Sequence, residues 1–304
     1  MIRVGYACIN TELPSPNRTC RLKNATEARI IELGRANLLA LSEILRWNAA
    51  HGVTLFRISS DTIPFGSHPV NGGTWADALA PELSAVAGQI RDGGVRVSMH
   101  PGQYTVLNAV RESVVDNAVA DLDYHARLLD ALGVDRTHKI IIHIGGVYGD
   151  KASAIRRFVH TANRLDRAIR DRLIIENDER SFNAEDLFAI SGETGLPVVF
   201  DRFHHGCYPS LTDRSVRELV ETAAATWSPA DGRPKVHYSD QRPGRAVGAH
   251  AHSLDRAAFG VFYEEIRDLE IDIMLEAKDK EQSVLAARDV IAGLEPDGNG
   301  GGGS

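Results

Sequence analysis

Lys139–Gly146 reads KIIIHIGG. Three isoleucines in succession, with no polar residue alternating among them, describe a strand covered on both faces, as in a parallel sheet packed between helices. A histidine, His143, closes the run, and Gly145 and Gly146 open a loop. Runs of the same kind, short and mostly rich in Val and Ile, recur at Ile2–Cys8, Val53–Ser59, Val95–Met99, Leu173–Glu176, Pro197–Asp201, Pro234–Tyr238 and Ile271–Glu276, making eight with Lys139–Ile144. Between them apolar residues fall at helical spacing, as over Ala28–Trp47, Val115–Leu132 and Ala154–Ile169. Eight alternating strand–helix units in a chain of this length predict an α/β fold of the (β/α)8 TIM-barrel type. A doubly wound sheet is the competitor, but no Gly-rich dinucleotide loop or Walker A sequence follows any of the strands.

The chain has 304 residues, enough for one large domain or two small ones. We expect a single barrel domain over 1–295, followed by a flexible Gly-rich tail, 296–304, set aside from the fold. Hydrophobic residues at 43% and charged residues at 25% exclude collagen-like and disordered classes. No apolar run is long enough for a membrane-spanning helix, and the N-terminus lacks a signal-peptide layout, so a cytoplasmic location is expected. Cys8, Cys20 and Cys207 match no zinc spacing. The net charge of −7 speaks against a generally basic nucleic-acid coat, yet carboxylates that hold divalent cations would reverse the local sign. Two long loops, Thr11–Asn24 and Ser60–Trp75, are of the length that tends to carry function.

The positions of the polar residues carry the functional reading. His100, His143, Glu176, Asp201, His237 and Glu276 stand at the C-terminal ends of strands three to eight, and in a barrel those ends converge on one face. His68, His204 and His250 lie in loops on the same face, with His205 and His252 as alternatives to the last two. Singly, each would be an ordinary hydrogen-bonded histidine or helix cap. Gathered without cations they would repel or stay unpaired. Nine oxygen and imidazole donors without thiolates suit Zn²⁺, Mn²⁺ or Fe²⁺ and exceed the needs of one ion, so two or three ions are expected. Phosphodiester hydrolysis is the natural chemistry of such a centre. His51, His125, His138 and His160 are expected to be surface or packing residues.

The motifs GYACIN (Gly5–Asn10), RISSDTIPFGSH (Arg57–His68), SMHPGQYTVLN (Ser98–Asn108), IIHIGGVYGDK (Ile141–Lys151), IIEND (Ile174–Asp178), VVFDRFHH (Val198–His205), KVHYS (Lys235–Ser239) and LEAKDKE (Leu275–Glu281) resemble the UV damage endonuclease family nearly end to end. That family is related in fold to endonuclease IV and the xylose-isomerase-like barrels. The resemblance implies a DNA repair enzyme that nicks double-stranded DNA immediately 5′ to UV photoproducts, leaving a 3′-hydroxyl and a 5′-phosphate. It implies three divalent ions, usually Mn²⁺, on the nine residues above, with Glu176, Glu276, His237 and Lys235 catalytic. Lys235 stands where the family has a lysine that can be carboxylated to act as a further carboxylate. It further implies a probing pair, Gln103 and Tyr104, with Tyr6 and Asn10 nearby on the DNA. Arg18, Arg21, Lys23 and Arg202 are candidate phosphate contacts. An abasic-site endonuclease and a sugar isomerase on the same barrel are the competing activities.

Overall fold

A computed structural model describes residues 2–295; the tail expected at 296–304 lies outside the described residues. The eight expected strands form, as β1 Arg3–Cys8, β2 Leu55–Ile58, β3 Arg96–Met99, β4 Ile140–His143, β5 Leu173–Glu176, β6 Val198–Asp201, β7 Lys235–Tyr238 and β8 Asp272–Leu275. All pair in parallel with their neighbours in chain order, and β8 returns to β1 through Arg3–Asp272 and Tyr6–Leu275, closing the barrel. The helices are α1 Glu27–Ala50, α2 Trp75–Ala78, α3 Ala80–Asp92, α4 Glu112–Ala131, α5 Lys151–Ala162, α6 Arg167–Arg170, α7 Ala184–Thr194, α8 Arg202–Cys207, α9 Val216–Ala224, α10 Arg256–Ile266 and α11 Glu281–Leu294. No described helix is long and apolar enough to cross a membrane.

Period-2 alternation along the strands sorts side chains between the lumen and the helix layer. Ala7, Leu55 and Met274 form one small cluster and Ile141, Ile174 and Val199 another, both separate from the main core shared with the helices. Those two clusters fill the barrel. Their neighbours in sequence, Tyr6, Phe56 and Ile273, face outward into the main core, against helices such as α1 with Leu38, Leu41, Ile44 and Leu45. A Cβ at Gly5 would run into the Leu55 backbone carbonyl, so glycine lets β1 and β2 approach.

The expected helix Ala154–Ile169 breaks into α5 and α6. Asp166 supplies the reason: its carboxylate accepts the Ala168 amide at 2.7 Å and starts a new helix where the old one would have run on. The two long loops are not structureless, since each contains 3-10 turns, at Leu22–Asn24, Ser60–Thr62 and Pro69–Asn71.

The N-terminal end of the barrel is closed by charge. Asp272, fully buried, accepts two bonds from Arg3 and one from Arg96, each at 2.8 Å. Arg172 donates to the carbonyls of Asp135, His138 and Val134 and to the Asp130 carboxylate at 2.6–2.9 Å. The opposite mouth is left for the site.

Candidate metal centre

Glu176, at the last position of β5, is the hub. Its Oε2 lies 3.0 Å from His100 Nε2 and its Oε1 lies 2.7 Å from His237 Nδ1. Strand ends explain the convergence: Glu176 and His237 stand at the ends of β5 and β7, and His100 follows the last residue of β3. Ligand atoms of His100, His143 and Glu176 lie within 4.8 Å of one another, and so do those of Glu176, Asp201, His237 and Glu276. Glu176 belongs to both groups. The imidazoles continue as a chain, with ring centres 5.2 Å apart for His100–His143 and 5.7 Å for both His143–His204 and His204–His250.

Polar contacts aim these rings. His204 Nδ1 faces the Asn177 carbonyl at 3.0 Å, and His250 Nδ1 faces the Ser239 hydroxyl at 2.9 Å. Asp201 caps α8, its Oδ1 accepting the His204 amide at 2.8 Å. Its other oxygen, Oδ2, is buried with no hydrogen-bond partner among the described residues, as is Nε2 of His237. Two orphaned buried donor atoms in an oxygen and nitrogen set are what a divalent cation would satisfy.

The electrostatics agree. Burial and the negative charges of Glu176 and Glu276 push the Asp201 carboxyl up to about 8, against the pull of His204. Burial would lower His204, but Asp201, Glu176 and Glu276 outweigh it and raise the imidazole to about 9. Burial also opposes ionisation of Glu176 and Glu276; imidazoles overcome it at Glu176, and Arg57 with His237 at Glu276, so both sit below the usual carboxylate range. Without cations, the negative charge stays on two of the three carboxylates and a proton stays on the third.

Two catalytic candidates have partners that the sequence did not reveal. Arg57, buried on β2, forms an ion pair with Glu276. Lys235, fully buried, donates to Ser98 Oγ at 2.9 Å, and burial together with the Arg96 charge drives its pKa far below the ordinary lysine value. Asn177 was also missed: it exchanges bonds of 2.9 and 3.0 Å with the Asp201 backbone and so ties β5 to β6 at the site. Arg57 could have been found, because a charge two residues after Leu55 in LFRI shares the lumen side. Asn177 lies beyond the strand and leaves no such signal.

Several expected residues lie elsewhere. His68 stands on an exposed turn outside both ligand groups, its Nδ1 accepting the Val70 amide at 3.0 Å. Tyr6, expected near DNA, is fully buried within β1, facing the helix layer, and its hydroxyl donates to Asn48 at 2.7 Å. Alternation puts it there, since Gly5 and Ala7 take the lumen side. Asn10 is buried too, donating to Tyr6 at 3.3 Å and accepting the Glu12 amide. Gln103 and Tyr104 are exposed, Tyr104 at 72%, on the rim of a cavity of about 980 Å³ that reaches His143, His204, His250 and Glu276. His205 packs on Phe200 and His252 is exposed beside Ser253, so His204 and His250 are the members of each pair that face the cluster. Arg18, Arg21 and Lys23 are exposed, whereas Arg202 lies over the Tyr238 ring. His125, expected to be a surface or packing residue, is buried in a polar network with Ser60.

A closed barrel with histidines and carboxylates converging at its C-terminal mouth defines a (β/α)8-barrel enzyme whose chemistry sits at the strand ends. Comparison supplies the rest: residues 2–295 match the family model described as UV-endonuclease UvdE, and the chain belongs to that family and is an endonuclease. It is 41% identical to the UV DNA damage endonuclease of Clostridium perfringens over 93% of this chain and 69% of the relative, and 34% identical to the UV-damage endonuclease of Neurospora crassa. The Neurospora match covers 93% of this chain, which spans half of that relative's length. The crystal structure of SacUVDE superposes with a TM-score of 0.91 at 40% identity, covering 97% of this chain and 99% of that one. Endonuclease IV from Thermus thermophilus shares the fold, with a TM-score of 0.60 at 17% identity over 96% of this chain and all of the other.

Proposed function

We propose that this endonuclease nicks duplex DNA immediately 5′ to UV photoproducts, with divalent ions, three of them and Mn²⁺ in kind, held at the barrel mouth. The observation that carries the reading is the Glu176 carboxylate shared between two groups of ligand atoms, whose members His143 and Glu276 line the cavity of about 980 Å³ at the barrel mouth. Glu176, with His100 and His143 in one group and Asp201, His237 and Glu276 in the other, would hold the ions, with His204 and His250 beside them. His68 would join through movement of its exposed loop. When bound, the ions supply Lewis acidity, lowering the pKa of a water and offsetting charge on the phosphate oxygens.

The protein groups do the positioning. Arg57 holds Glu276 ionised and oriented. The neutral amine of Lys235 is the form that adds CO₂ to give a carbamate, with loss of one proton, which would convert a buried base into a further carboxylate near the ions. Attack of water on phosphorus breaks the bond to the 3′-oxygen, which takes up a proton and leaves as the 3′-hydroxyl. Gln103 and Tyr104 fill the space vacated when damaged nucleotides leave the stack, at a cost lowest where pairing is already broken.

Incubation with Mn²⁺ and a duplex bearing one defined photoproduct tests the reading. A single nick 5′ to the lesion, sealable by DNA ligase, is expected. Absence of cleavage by folded protein under every divalent ion tried would overturn it, as would a large preference for an abasic duplex or turnover of an aldose to a ketose.

A further inference from the structure

Beyond β7 the chain runs outward to Gln241, turns, and comes back to His250, with an isolated antiparallel bridge between those two residues. This excursion is a framed hairpin. The Arg242 amide donates to the Ala249 carbonyl and the Ala251 amide to the Asp240 carbonyl, both at 2.7 Å. The Gln241 side chain braces the inside, donating to the carbonyls of Arg242 and Ala246 at 3.0 Å and accepting the Gly248 amide at 3.1 Å. Gly248 has φ +88°, and a Cβ there would stand 2.8 Å from Glu179, so glycine seats the hairpin against the β5 loop.

On this frame sits a tip with no structural employment. Pro243 to Val247 are all exposed, Val247 at 73%. The side chains of Arg242 and Arg245 make no hydrogen bond or ion pair among the described residues. One exposed valine is ordinary on any protein surface. What sets this one apart is its place. In a closed eight-stranded barrel, β3 and β7 are four strands apart and therefore opposite. The loop after β3 carries Tyr104, 72% exposed, and the loop after β7 carries Val247. Gln103 and Tyr104 line one side of the central cavity, Gly248 and His250 the other.

We propose that the hairpin Gln241–His250 is a second DNA-engaging element, facing the Gln103–Tyr104 loop across the site. Arg242 and Arg245 take backbone phosphates, and Val247 presses its isopropyl group against the base stack on the side away from Tyr104. The inference rests on the DNA-nicking reading above. A duplex held by a wedge from one side alone can swing away; apolar contact from two opposed rims bends the helix over the cavity and favours sequences or lesions that unstack easily.

The test is a set of binding isotherms for the Mn²⁺-loaded protein on an intact duplex and on one with a single photoproduct and an uncleavable 5′ linkage, across a range of salt. Arg242→Ala and Arg245→Ala should each flatten the dependence of log K on log salt by about 0.9, weakening both duplexes alike. Val247→Ser should leave the salt slope at the wild-type value and reduce the preference for the lesion duplex by roughly tenfold. Metal content and Tm should match wild type in all three, since the tip is exposed. Wild-type slopes and wild-type preference in all three variants would overturn the proposal. If the unsubstituted protein binds no duplex at all, the proposed nicking of duplex DNA at photoproducts falls and takes this inference with it.

Discussion

Asp201 carries a conflict of charge and burial: a buried carboxyl with one oxygen unpartnered, beside two ionised neighbours. Its folded pKa of about 8 lies above the ordinary 3.8. Below about pH 4 the group is protonated whether folded or unfolded. Between there and pH 8 the unfolded chain ionises while the folded one keeps its proton, so stability contributed by this group declines as pH rises. Asp201→Asn should therefore raise the Tm of the metal-free protein, by nothing near pH 4 and by about 2 °C or more near pH 8, while weakening metal binding at every pH. Calorimetric scans with chelator present would show it. In the unsubstituted protein, metal uptake must displace the protons held by Asp201 and His204, so affinity should climb from pH 6 to 9. Titration calorimetry in buffers of different ionisation enthalpy measures the protons released; none released would contradict this.

At the scale of elements, the loop bearing Gln103 and Tyr104 is exposed at its tip and clamped at its base. Thr105 donates to Asp121 of α4 at 2.6 Å. The Ser60 hydroxyl donates to the His100 carbonyl, lies 2.9 Å from His125 Nε2, and Tyr124 donates to the Ser60 carbonyl. One face of α4 thus ties the loops after β2 and β3 together. Asp121→Ala should cost about 1–2 kcal/mol through the stranded Thr105 hydroxyl and lower the preference for damaged over intact duplex, whereas Asp121→Asn, which keeps an acceptor, should recover most of the preference. Competition binding with both duplexes separates these outcomes from a simple loss of stability.

For the whole molecule, the two ends of the barrel hold charge in opposite ways. At the N-terminal end Asp272 is matched by Arg3 and Arg96 within the chain. Asp272→Ala should destabilise by about 3 kcal/mol, because the buried Arg96 guanidinium and the half-buried Arg3 guanidinium lose their partner; denaturant melts would measure it, and a cost under 1 kcal/mol would show that solvent reaches this end. At the mouth, Arg57 and the imidazoles hold Glu276 and Glu176 ionised while Asp201 keeps its proton. Removal of metal with a chelator should lower stability by about 2.7 kcal/mol for each ion present at a hundred times its Kd, read as a Tm that depends on metal concentration.

Local pattern was sufficient for the fold and for the polar residues that converge at the mouth, because each depends on a short-range rule: unbroken apolar runs for strands buried on both faces, and strand ends that a barrel must bring to one rim. His100, His143, Glu176, Asp201, His237 and Glu276 were legible for that reason. Only the closed barrel decided the rest. Tyr6 and Gly5 are neighbours in sequence, yet the pleat sends one to the helix layer and the other to the lumen. Arg57 and Glu276 are 219 residues apart and meet only across the barrel. His68 stays on an exposed turn, and the hairpin after β7 faces the loop after β3, because the order and closure of strands, which no local spacing encodes, determine what stands opposite what.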